Sequence, residues 1–233
     1  MTSDGTRPGW ARPGRARPGE TRPGEIELED GGAPALGEPL AVEFGNTIYV
    51  NRRGQQDGLS TRGRTAAWLL QHSGSFEPNL GPRDVAMLSP REHRRLVDLR
   101  DAVRAALRAV VDGVAVPPPA RETINSASAL VPRWVVLVGD PPEAVESFAA
   151  VDPVLAAAGA LARSAVQVLG GGSGAALRAC AAAGCPLFFV KNHPRREWCS
   201  AACGNRARVA RHYARQRPEQ RPEQRSEQRP DCS

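Results

Sequence analysis

Four cysteines constrain this chain more than any other feature. Cys180, Cys185, Cys199 and Cys203 fall within 24 residues as two close pairs, with 13 residues between the pairs. Thiolate sulfur suits a tetrahedral structural zinc site, and two pairs supply its four ligands. Cys180 and Cys185, with Gly184 at the bend, read as a knuckle. Leu187–Val190 then reads as a strand, 191–194 as a turn and Arg195–Trp198 as the return strand. Cys199 and Cys203 stand one helical turn apart, which puts both sulfurs on one face at the start of a helix running to Arg215. Knuckle, hairpin and helix make a treble clef around one structural Zn2+ per chain. A dithiol redox site more often uses a two-residue spacer and needs only one pair. Ordinary core cysteines have no reason to pair around a hairpin. His193 falls in the turn and is not needed as a ligand, and Cys232 has no partner nearby.

Charge is concentrated around the same stretch. Between residues 175 and 217, nine Arg or Lys side chains face one acid, Glu197, so this segment carries +8 while the whole chain carries +6. That points to an anionic partner at one place. All basic residues but Lys191 are arginine, a bias that a GC-rich genome also produces, so the positions of the arginines carry the argument. From Arg208 the helix sets Arg208, Arg211, His212 and Arg215 on one face. Val209 and Tyr213 lie to one side, suited to packing on the hairpin with Trp198.

The rest of the chain reads as an α+β protein with polar tails. Arg-Pro-Gly repeats every five residues from Arg7 to Arg22, and Arg-Pro-Glu-Gln-type repeats follow Arg217. Segments 1–38 and 217–233 are expected to be disordered. Residues 39–169 form a mixed α/β domain, 170–174 a glycine linker and 175–216 the finger. Within the domain, Leu40–Val50 reads as a strand interrupted at Gly45-Asn46, and 51–63 as a polar loop. Arg64–His72 reads as a short helix and 82–88 as a helical turn. Ser89, Pro90 and Glu92 form a capping-box start for a helix with Leu96, Leu99, Val103, Ala106, Leu107 and Val110 in one stripe. Arg121–Leu130 is a short helix, Arg133–Val138 a strand apolar enough to be central, and Asp152 the cap of a second long helix. The glycine run follows a helix and lacks Gly-Lys-Ser/Thr, so it is no phosphate loop.

No run of 18 apolar residues occurs and the N-terminus has no hydrophobic stretch. The expectation is a cytoplasmic protein with no membrane span. Nor does a Ser/His/Asp set or a pair of histidines suggest an enzyme. His72 and His93 fall in predicted helices. Asn46 and Thr47, polar within an apolar strand, are the candidate ligand contacts of the N-terminal domain.

Trp198 to Arg206, read with Cys180 and Cys185, resembles the CGNR zinc finger. Leu40–Thr47 (LAVEFGNT) with Trp68-Leu69 resembles the ABATE domain that usually precedes that finger. The two cover residues 38–216. Glu43 and Val190-Lys191 stand where the family often has Asp. The resemblance implies a stress-related transcription regulator that binds double-stranded DNA through its finger, with a ligand-sensing or oligomerising N-terminal domain. Arg195 and Arg196 would add phosphate contacts to those of Arg208, Arg211, His212 and Arg215. About five neutralised phosphates would give a salt slope near −4 to −5. Asn205 is expected to bond the zinc knuckle, and Arg206 to pack locally or make a separate contact. A small molecule or a protein could engage the N-terminal domain, and a homodimer would extend the site read. The competing reading is a zinc-dependent protein- or RNA-interaction module.

Overall fold

The computed structural model describes residues 33–149 and 151–216, and most of the two repeat-rich tails lies outside them. The chain runs through α1 (Leu40–Gly45), the hairpin β1 (Ile48–Asn51) and β2 (Gly54–Asp57), α2 (Arg62–Gln71) and a 3-10 turn at Ser73–Ser75. It continues through α3 (Pro82–Ala86), α4 (Pro90–Asp112), α5 (Pro118–Ser128) and a second hairpin, β3 (Arg133–Val138) with β4 (Glu143–Phe148). After α6 (Pro153–Gly170) and α7 (Gly172–Ala176), a third hairpin of β5 (Leu177–Ala179) and β6 (Phe188–Val190) leads into α8 (Ala201–Gln216). Each described sheet is a two-stranded antiparallel pair.

The core is helical. α4 starts at the expected capping box: Ser89 Oγ accepts from the Glu92 amide at 3.2 Å, and Glu92 returns a carboxylate to the Ser89 amide at 2.7 Å. Leu96, Leu99, Val103, Ala106 and Leu107 are buried along one side of it. Asp152 caps α6 through the amides of Val154 and Leu155. α6 has the length and composition of a candidate membrane span. It packs against α1, α4 and α5, which makes it the central helix of this core.

Three sequence expectations are corrected. Leu40–Gly45 is a helix, not half of a strand. Ala41 to Gly45 are all buried, and a short segment buried on every side has the same apolar pattern as helix or as strand. The Glu43 carboxylate fixes the helical choice by accepting the amides of Leu36 and Glu38 at 2.7 and 2.8 Å. That contact draws residues 33–38, expected in the tail, into the packed structure. Segment 51–63, expected as a loop, contains β2, whose Gly-Gln-Gln-Asp sequence carries no strand signal. β3, expected at the centre of a sheet, pairs only with β4 among the described residues, and leaves Trp134, Val135 and Leu137 exposed.

Candidate metal centre and nucleic-acid interface

The finger is built on the β5–β6 hairpin. Its strands lie on either side of the knuckle, with Ala179 opposite Phe188 and Leu177 opposite Val190. The return strand expected at Arg195–Trp198 does not form, because the outer edge of β6 is already taken. Asn46 accepts the Phe188 amide at 2.8 Å and donates to the Phe188 carbonyl at 2.9 Å, as a neighbouring strand would. Glu38 accepts the Val190 amide at 2.8 Å. Gly184, at φ +71°, turns the knuckle through the left-handed region that glycine enters without a Cβ clash.

The four cysteines converge. Their sulfurs lie within 4.8 Å of one another, and Cys180, Cys199 and Cys203 are buried. The Sγ–Sγ separations are 3.8 Å for Cys185–Cys199, 3.6 Å for Cys199–Cys203 and 3.8 Å for Cys185–Cys203. A tetrahedron with Zn–S bonds of about 2.3 Å has edges of about 3.8 Å. The donor set therefore fits Zn2+ in size as well as in softness. Crowding also shows why a cation is needed. The hydrogen bond between Cys180 and Cys185 pulls the Cys180 thiol down to about 2 and pushes Cys185 up to about 11. Bonds from Cys180, then Cys185, raise Cys199 as well. The thiols cannot all ionise together until a metal balances them. No further ligand is called for, and His193 sits exposed in its turn, accepting the Arg195 amide at 3.1 Å.

Secondary contacts hold the ligands. The Cys199 amide points at Cys180 Sγ at 3.4 Å, and Ser200 Oγ accepts the Cys203 amide at 3.3 Å where α8 begins. Arg206 reaches Cys203 Sγ at 3.4 Å, so a cation offsets part of the excess negative charge of a four-thiolate zinc site. The expected role of Asn205 is not met among the described residues: it is exposed, and its side chain accepts from Arg208 at 3.5 Å. Gly204 lets Trp198 lie against α8, since a Cβ there would stand 3.0 Å from the indole.

The other predicted residues divide into two groups. Arg195, Arg208, Arg211, His212 and Arg215 are exposed, the last four on α8, with Arg211 stacked 5.8 Å over Trp198. Arg196 is not available to a phosphate. It pairs with the buried Glu38, donates to the carbonyls of Val190 and Cys199, and lies 4.7 Å over the Phe189 ring. Val209 and Tyr213 do not pack on the hairpin; they are 48% and 65% exposed. Strands of three residues are too short to reach that far along α8.

Asn46 and Thr47 are fully buried and serve the structure rather than a ligand. Thr47 Oγ1 donates to the Phe44 carbonyl at 2.8 Å and accepts from Arg100 at 3.2 Å. Arg104 adds a bond to the Pro186 carbonyl at 3.3 Å and lies 5.5 Å from the Phe188 ring. Glu38, Asn46, Arg104 and Arg196 thus form a joint between finger and N-terminal region. Its one sequence signal was a polar residue inside an apolar run, at Asn46.

Comparison with known families agrees with this anatomy. Residues 38–172 match the ABATE family model, described as "Putative stress-induced transcription regulator". Residues 176–216 match the CGNR zinc finger. No curated protein matches the chain. With more than half its length matched and all four cysteines gathered at one centre, the chain belongs to the ABATE family and carries a C-terminal CGNR zinc finger.

Proposed function

We propose that the protein is a cytoplasmic DNA-binding transcription regulator. In this reading the zinc fixes the start of α8 and the helix carries its arginines into a DNA groove. The observation that supports it is the exposure of every residue from Arg208 to Arg215 on a helix anchored at the metal. Eight such residues extend about 12 Å, and the major groove is about 12 Å wide. Arg195 joins them from the turn before α8. Neither matched family is an enzyme family, and the reading assigns the protein no catalysis.

The N-terminal domain supplies sensing, oligomerisation or both. A second copy suits the exposed β3 edge. From Trp134 to Val138 that strand carries no charge, whereas β4 carries Glu143 and Glu146. Two β3 edges can pair antiparallel about a twofold axis, which also covers their apolar side chains.

Selection of bound fragments from genomic DNA tests the reading. Enrichment of one motif by the zinc-loaded protein supports it. Recovery without sequence preference, or no recovery, favours a protein- or RNA-interaction module instead. The exposed Val209 and Tyr213 on α8 are the observation on that side.

A further inference from the structure

A polar cavity of about 350 Å³, with no cysteine in its lining, lies between the start of α1, the 3-10 turn, α6 and the base of the β3–β4 hairpin. Its chemistry comes from Arg163, Ser164 and Gln167 of α6, Arg133 of β3, Glu146 of β4 and Glu77. Arg163 Nη1 and Arg133 Nε are both buried, and neither has a hydrogen-bond partner among the described residues. Arg133 is partly satisfied, since its Nη1 reaches Glu146 at 3.0 Å and Glu77 at 3.5 Å. Arg163 has no ion pair among the described residues. Burial, then the charge of Arg133, lowers its pKa, as happens to a cation short of an anion. Two guanidinium groups line one cavity, and that of Arg163 has no hydrogen bond or ion pair among the described residues, so an acceptor entering the cavity would find charged donors there. Ser164 Oγ accepts the Ala41 amide at 3.0 Å, and its own proton has no acceptor among the described residues.

The two acids narrow the class of ligand. Glu77 and Glu146 side chains are 72% and 58% exposed, so they stand at the mouth, while the side chain of Arg133 is only 14% exposed. Two arginines and two glutamates balance. A phosphate dianion would upset that balance and face both carboxylates, whereas a zwitterion leaves it unchanged. We infer that this cavity binds a small molecule of the amino-acid class, with its carboxylate on Arg163, Arg133 and Ser164 and its ammonium toward Glu77 and Glu146. The volume leaves space for a side chain as well. The inference deepens the sensing half of the proposed function, moving the ligand from Asn46 and Thr47 to this cavity. It rests on nothing in the DNA-binding half.

The test uses the full-length, zinc-loaded protein without DNA, so its failure and that of the DNA reading are told apart. The twenty protein amino acids are screened by thermal shift and titration calorimetry, with acetate, inorganic phosphate and the decarboxylated amine of each hit. At least one amino acid should bind one per chain and raise Tm, while its amine does not. Arg163→Met should weaken that binding about 10- to 100-fold. It should leave the Tm of the unliganded protein unchanged or higher, because Arg163 makes no hydrogen bond or ion pair among the described residues and its charge is partly desolvated. Glu77→Gln with Glu146→Gln should weaken the amino acid more than acetate. The inference is overturned if no amino acid binds, if phosphate alone binds, or if Arg163→Met binds as the wild type does.

Discussion

Asn46 makes two hydrogen bonds to one residue of the finger, Phe188, from a fully buried position. Asn46→Ala would strand an amide and a carbonyl away from water. The expected loss is about 2–3 kcal/mol in urea melts, whereas an Asn46 that served only a ligand would melt unchanged. Asp57 offers a second test at this scale. Burial raises its carboxyl pKa, but the Arg100 hydrogen bond, the Leu59 amide and the nearby charges of Arg100 and His93 together bring it below the ordinary value. A carboxylate with a depressed folded pKa stabilises above its unfolded pKa, about 3.9, and loses that contribution as pH falls through the folded value. Stability should therefore decline below about pH 4. Asp57→Asn should flatten the decline and cost about 3 kcal/mol at neutral pH, by leaving the buried Arg100 with the exposed Asp101 as its remaining acid among the described residues. An acid limb of the same steepness in that variant would exclude the Asp57–Arg100 pair as its source.

Elements differ in how far the sequence announced them. α4 and α6 were legible because caps and stripes lie within a single segment, at Ser89–Glu92 and Asp152–Leu155. The four ligands were legible because cysteine spacing is itself a local geometry. The hidden parts are those that other segments decide. Leu40–Gly45 is helical because Glu43 reaches back to residues 36 and 38, and no β-branched count reveals that. The missing return strand at Arg195–Trp198 depends on Glu38 and Asn46, more than 140 residues away. Arg196 looked like a phosphate contact because nothing in its own segment shows its partner, Glu38. The β3–β4 hairpin is the element whose apolar sequence is least covered by the rest of the chain. Leu137, 76% exposed, is the place to break a β3–β3 pairing. Leu137→Lys should leave the melting curve within about 0.5 kcal/mol and convert a dimer to monomer in sedimentation velocity. A wild-type protein that sediments as a monomer at high concentration would remove this contact.

At the scale of the molecule, finger and N-terminal region share one core and are fastened by Glu38, Asn46, Arg104 and Arg196. The metal should then stabilise more than its own module. Chelation, or Cys203→Ser, should release one zinc per chain, unfold the start of α8 and lower the Tm of the whole protein. A chelated protein that keeps its Tm would mean that the two parts melt independently. The most direct test of the account is the salt dependence of binding to duplex DNA by the zinc-loaded protein. With Arg195, Arg208, Arg211 and Arg215 on phosphates, log K should fall against log salt with a slope of about −3 to −4. Arg208→Ala with Arg211→Ala should flatten it by about 2, while metal content and Tm stay as in the wild type. A zinc-loaded, folded protein that ignores duplex DNA, or binds it equally with those two arginines removed, would contradict the account.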